Sequence, residues 1–258
     1  MLVTLFGFIS GAVIGAAHAP WWQSAPALRP TSLVSELGPL AALGLSLAVF
    51  GLIAGGTLVL ERRRHRRPTP AAGNPRRGRW RILRGPWPLA AGAVGLALVN
   101  FATLALAGRP WGITSGLTLW GSKTLAALGV DVAAWTYWSN PGRAAALHAS
   151  VFTDITSVMD FGLILGALAA AGLAGRFGPV RRVPISSLVA ALAGGLMLGY
   201  GALLAYGCNI GAYFSGIASG SLHGWLWLVA AFAGGVLGTR LRPFFGLSVE
   251  RSAGGEGC

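Results

Sequence analysis

Six long apolar runs, at about residues 2–17, 33–60, 87–108, 151–175, 185–206 and 225–241, occupy most of these 258 residues, with an arginine cluster after every second run. An α-helix needs about 20 apolar residues to cross the hydrocarbon of a bilayer. Lipid offers no hydrogen-bonding partners, so backbone at that depth must satisfy itself, and a helix does so within one segment. The pattern therefore predicts an all-α integral membrane protein, a single membrane domain over 1–258 with about six transmembrane helices. Composition agrees: 54 % of the residues are hydrophobic and 10 % charged, where a soluble domain is nearer a quarter charged. The 40 glycines suit helices that approach closely in lipid, where small residues replace hydrophobic burial as the packing device.

The net charge of +13 comes almost entirely from arginine. Ten arginines fall in the connecting loop 61–86, and the next clusters are Arg176, Arg181 and Arg182, then Arg240 and Arg242. Successive clusters are two apolar runs apart, so six spans place all of them on one face. Excess Arg and Lys mark the cytoplasmic side, and both termini are expected there with the 61–86 loop. No aromatic-interleaved basic groove accompanies the charge, so nucleic acid is not an implied partner. The lipid bilayer is the implied surroundings, and its anionic headgroups would favour the basic loop. Ala17-His18-Ala19 resembles a cleavage signature, but no basic stretch precedes it and Pro20 follows, so 2–17 reads as a membrane segment.

The charge pattern also constrains two ambiguous stretches. Residues 113–129 would form a helix of roughly 25 Å, almost enough to cross, but a lone crossing would move Arg176–Arg182 to the other side. Segments 109–130 and 207–223 are therefore read as broken or re-entrant, and 242–258 as a polar tail. The halves then share a plan of span, break and span. Pro86 precedes Gly112 by the same interval as Pro184 precedes Ile210, a spacing that helical spans of equal length would also give.

Irregular backbone at membrane depth is tolerated where it lines a wet cavity or binding site. That singles out Cys208, a thiol bracketed by Gly207 and Gly211 and followed by Asn209. Most free cysteines are small buried hydrophobes. Here the flanking glycines permit close backbone approach, and a half-helix starting after the break would aim its N-terminal amides at an anion and favour the thiolate. Thiol, amide and backbone donors together suit a small sulfur oxyanion. Ser215, Ser219 and Ser221 could add hydroxyls. Gly216, Gly220 and Gly224 recur every four residues and are expected to form one packing face of a helix. In the first break, Trp111 and Thr114 suit an interface or a pore wall. Asp154 reads as hydrated or as a helix cap. Asp160 lies deeper, where ionisable groups are costly, and is expected either to pair with Lys123 or Arg109 or to bind a coupling cation or proton. His223, with Trp225 and Trp227, reads as an interfacial anchor. The two cysteines, Cys208 and Cys258, lie in unlike surroundings and are read as free thiols. Without CxxC, HExxH or a His/Cys/Asp cluster, no metal centre or cofactor is implied.

Gly207-Cys-Asn-Ile-Gly-Ala-Tyr-Phe-Ser-Gly-Ile-Ala-Ser-Gly-Ser-Leu-His-Gly-Trp225, with Pro110-Trp-Gly-Ile-Thr114 and Asp154-Ile-Thr-Ser-Val-Met-Asp-Phe-Gly162, resembles the YeeE/YedE family of bacterial inner-membrane proteins. The resemblance runs from about residue 87 to 247. It implies a compact helical membrane fold in which broken helices bring cysteines into a central path. The implied function is uptake of a sulfur compound, thiosulfate or a related oxyanion, and not an enzymatic reaction. By the same resemblance Cys208 lines that path and donates a transient S–H hydrogen bond to the passing anion. A cytoplasmic sulfur carrier or sulfurtransferase is the partner class such uptake would supply. Longer members carry further cysteines upstream, whereas this chain has none before Cys208, and Trp111 stands in the first break. Two other readings remain beside the transporter: a membrane-embedded sulfur-transfer enzyme with Cys208 as nucleophile, and a non-transporting accessory subunit.

Overall fold

Each apolar run is helical in the computed structural model, the run 33–60 as two helices parted at Gly38, and the structure describes residues 2–27, 29–64, 87–175, 178 and 183–247. In chain order the helices are α1 (Leu2–Ala17), α2 (Ala19–Gln23), α3 (Leu33–Leu37), α4 (Pro39–Arg64), α5 (Leu89–Ala107), α6 (Thr114–Ala127), α7 (Pro141–His148), α8 (Ile155–Leu173), α9 (Ile185–Leu204), α10 (Ser215–Ala218) and α11 (Leu222–Leu241). Among the described residues there is no strand, only a single bridge between Ser32 and Ser221. The loop arginines beyond Arg64, Arg176, Arg181, Arg182 and Cys258 lie outside the described residues.

Five helices, α4, α5, α8, α9 and α11, are long and apolar enough to cross a membrane. The first run is shorter: α1 has 16 residues, about 24 Å of helix. It packs along α9 through a seam of glycines. A Cβ on Gly7 would lie 2.7 Å from the Leu192 carbonyl oxygen, and Cβ atoms on Gly11 and Gly199 would collide with the carbonyl oxygens of Leu196 and Phe8. Ala12 and Ala16 are fully buried in the same helix. Close backbone approach of this kind is how small residues hold helices together in lipid.

Local sequence sets where the helices begin and end. Pro88 and Pro184 precede α5 and α9 with nearly the same backbone angles, φ −57°, ψ 142° and φ −56°, ψ 141°. Gly108 ends α5 at φ +66°, its N–H bonded to the Leu104 carbonyl, the left-handed cap that glycine adopts without a Cβ penalty. Asn140 caps α7 and Asp154 caps α8 through their side chains, so the helix-cap reading of Asp154 holds.

Helix α6 has 14 residues, about 21 Å, and sits between α1 and α8. Gly121 faces Val13 and Ile9 on one side, and Gly116 faces the backbone of Thr156 and Ser157 on the other. Lys123 does not pair with an acid: its Nζ donates to the carbonyls of Leu147 (2.6 Å) and Ala149 (2.7 Å).

The expected glycine face over 216–224 takes a different form. Gly220 lies in a turn at φ +72°, between α10 and α11, so the three glycines do not share one helix. Gly216 and Gly224 face each other across that turn, where a Cβ on Gly224 would lie 2.8 Å from the Ile217 nitrogen. The spacing reflects helix packing, but across a hairpin. The turn is tied to 31–33 by Leu33 N–H to the Gly220 carbonyl and Leu222 N–H to the Thr31 carbonyl.

Candidate functional site

The two breaks meet. Tyr206 stands at φ +55° and Gly207 at φ +151°, conformations that a β-carbon disfavours, and a Cβ on Gly207 would lie 2.7 Å from the Ala212 nitrogen. Helix α9 ends here, and the chain enters a π-helical turn, Asn209–Phe214, that runs into α10. Such turns are rare and favour functional sites. The other break, Arg109–Ile113, lies between α5 and α6.

Two polar side chains, Asn100 and Ser215, lock the breaks together through the Trp111 backbone. Asn100 Oδ1, from the middle of α5, accepts from the Trp111 N–H at 3.2 Å and from the Ser215 hydroxyl at 3.4 Å. The Ser215 hydroxyl also lies 3.0 Å from the Trp111 carbonyl oxygen. Ser215 is thus a strut between breaks 104 positions apart. Asn100 is a lone amide inside an apolar run, the one sequence signal that it holds irregular backbone.

Between the breaks lies a cavity of about 540 Å³, within the usual range for small-ligand sites. Trp111, Thr114, Gly207 and Gly211 of the expected site line it, as do Arg109, Arg143, Asp154 and Tyr206. Cys208 is half-buried between the two lining glycines and is not itself in the wall; Asn209 is exposed at the start of the π turn. Asp160 lies behind the wall, 2 % exposed.

The wall carries hydrogen-bond donors with nothing to bond. Thr114 opens α6, the Ile113 N-cap supplies no side-chain bond, and the first-turn N–H groups are left for another acceptor. The helix N-terminus adds partial positive charge. Thr114 Oγ1 and Trp138 Nε1 are both buried without a partner, and both residues line the cavity. Buried polar groups are nearly always satisfied, so unpartnered ones call for a ligand or water. Arg109 and Arg143 supply two guanidinium groups against one carboxylate, Asp154. Asp154 Oδ2 is already engaged by the Ser157 N–H (2.8 Å) and hydroxyl (2.7 Å).

Arg143 is held in place by its Nη1 donating to the Tyr137 carbonyl at 3.2 Å and by stacking 4.4 Å from the Tyr137 ring centre. Burial pushes the Tyr137 phenol above its ordinary value, and the Arg143 charge acts in the opposite sense. A phenol starts near 10, so a raised one remains protonated at neutral pH and can donate. Trp22 closes another side, its Nε1 bonded to the Gly15 carbonyl at 2.8 Å and its ring edge-on to Tyr206. His223 Nε2 lies 2.7 Å from the Ala205 carbonyl, at the end of α9 just before the break. Arg143, Trp138, Tyr137 and Trp22 were not foreseen from sequence. Only the Asn140-Pro-Gly helix start before Arg143 gave a local signal.

The arrangement therefore suits a small anion, held by guanidinium groups and uncapped amides. The chain is 33 % identical over 168 residues to the probable transporter YedE of Salmonella typhimurium, covering 64 % of this chain and 40 % of that protein. The Escherichia coli probable transporter YedE is 32 % identical over the same shares. The thiosulfate transporter TsuA of Spirochaeta thermophila is 42 % identical over 66 residues, 25 % of this chain and 20 % of that one. The matched region thus spans about two fifths of the YedE proteins. No solved structure matches significantly. The sequence profile described as "Sulphur transport" matches residues 1–237, nearly the whole chain, and the protein belongs to that family.

Proposed function

We propose that this chain carries a small sulfur oxyanion, thiosulfate in the first instance, across the bacterial inner membrane through the cavity where its two breaks meet. The observation that carries this reading is that two buried donors without a partner, Thr114 and Trp138, the uncapped start of α6 and the guanidinium groups of Arg109 and Arg143 all belong to the wall of one cavity, which Gly207, next in sequence to Cys208, also lines. The name of the relative TsuA supports the choice of anion. Thiosulfate presents three oxygens to such donors and a polarisable terminal sulfur that suits a thiol. Cys208 then provides a weak S–H donor as the anion passes the break, and the sulfur bonds of the anion stay intact. On the cytoplasmic side a sulfur carrier or sulfurtransferase would receive the product.

The binding role of the arginines is testable in proteoliposomes. Losing a hydrogen bond to a charged group costs about 1.5–3 kcal/mol, so Arg109→Gln should raise the half-saturating thiosulfate concentration roughly 10- to 150-fold. Arg143→Gln should do the same, with an added loss because Tyr137 is released. Unchanged saturation in Arg109→Gln would remove this cavity from the path.

The proposed orientation places both termini and the 61–86 loop in the cytoplasm. Reporter fusions after Arg84 and after Arg182 should both read inside. A split result would show that the stretch containing α6 crosses the membrane.

A further inference from the structure

Asp160 is the one acidic side chain that is buried among the described residues, 2 % exposed, and neither carboxyl oxygen has a hydrogen-bond partner. It sits on α8 against Gly116 of α6, where a Cβ on that glycine would collide with Asp160 Oδ2. The same ideal Cβ would lie 3.1 Å from the Ser157 nitrogen, so Gly116 makes the room that the carboxyl occupies. An uncompensated charge in such surroundings is strongly disfavoured, and intramembrane acids of this kind mark proton or ion relays. We propose that Asp160 is a proton-binding site that couples passage of the anion to inward movement of a proton. This rests on the transport reading above.

The neighbours favour a proton over a metal ion. Among the described residues no group of three or more His, Cys, Asp or Glu side chains is placed to hold a metal. The close approach of Gly116 leaves little space for an ion with several ligands, whereas a proton needs none. The charged groups on the packed elements are already engaged. Lys123 of α6 is held by two backbone carbonyls, and Asp154, at the head of α8, by Ser157. The turn Val151–Thr153, also packed on α8, carries no charge. Hydroxyls mark a polar seam between α6 and α8 near the cavity: Ser115 Oγ lies 3.1 Å from Thr156 Oγ1, and the Trp120 indole donates to Ser157 Oγ at 2.9 Å. Ser115 and Asp154 belong to the cavity wall, so the seam connects the anion's space with the helix that bears Asp160. An anion taken up against an inside-negative potential moves uphill, and each proton carried with it cancels one charge.

Proteoliposomes containing a trapped pH-sensitive dye test this with the full chain and radiolabelled thiosulfate. Wild type should acidify its lumen as thiosulfate enters, and an acid-outside gradient should speed uptake several-fold. Asp160→Asn, which keeps the shape of a protonated carboxyl, should still exchange labelled for unlabelled thiosulfate but lose both responses. Wild-type uptake without acidification, or acidification that persists in D160N, overturns the coupling alone. No flux at all in wild type overturns the transport reading and the coupling with it. A second readout needs no variant to fold: the thiosulfate-induced infrared difference spectrum of wild type should show a buried carboxylic-acid band that shifts in heavy water. Its absence counts equally against the proposal.

Discussion

Gly199→Leu should leave little folded protein in the membrane. Any Cβ at 199 meets the Phe8 carbonyl oxygen and lies 2.8 Å from the Ala12 nitrogen, backbone that cannot rotate aside. Overpacking of a well-filled contact costs about 1–3 kcal/mol and occasionally more; here it separates two whole helices. Gly11→Val, which strikes Leu196 from the other side, should behave alike. Gly92→Ala, with nothing within 4 Å of the added carbon, should fall within about 0.5 kcal/mol of wild type, as surface changes do. Thermal unfolding followed by size-exclusion chromatography in detergent separates the cases. If α1 leaves α9, Trp22 leaves the cavity, so the same variants should lose thiosulfate uptake. A stable Gly199→Leu would mean that the α1–α9 seam is not a structural contact.

The pairing of α1 with α9 shows what the sequence did and did not disclose. Apolar runs located α5 and α9, Pro184 marked the start of α9 while Pro88 rather than Pro86 precedes α5, and the glycines at 207 and 211 located the second break. The four-residue spacing of Gly7, Gly11 and Gly15 was readable, yet periodicity alone names no partner helix. The same limit misled at Gly216, Gly220 and Gly224, because one positive-φ residue folds an apparent stripe into a hairpin. Contacts between distant positions were invisible. Nothing near Trp111 announces that Ser215 and Asn100 hold it, and nothing near Lys123 announces the carbonyls that take its charge. Arg143 and Trp138 come from a stretch with no long apolar run, so the reading by spans gave them no weight. Asp160 was legible as costly, but only the structure leaves it without a partner.

Cys208→Ala should reduce thiosulfate-dependent growth and uptake at least about tenfold, the factor that corresponds to roughly 1.4 kcal/mol at one step, while membrane levels stay near wild type. Cys208 is half-buried just after two positive-φ residues, Tyr206 and Gly207, so alanine removes a donor without opening a large void. Cys208→Ser should retain part of the uptake, because a hydroxyl also donates. Cys258→Ala should change nothing. Equal uptake by Cys208→Ala would return this thiol to a packing role.

The serine variant matters because the competing chemistry is well defined. In sulfur transfer, the Cys208 thiolate would attack the terminal sulfur of thiosulfate, the S–S bond would break, and sulfite would leave with the bonding pair. That step requires the thiolate, and serine in its place would be inactive. The most direct measurement uses purified protein in proteoliposomes and thiosulfate labelled separately at its two sulfur atoms. Intact passage predicts that both labels appear inside at the same rate, that none stays on the protein, and that Cys208→Ser remains partly active. Terminal-sulfur label retained on Cys208 as a persulfide, sulfite released outside, and an inactive serine variant would contradict the account.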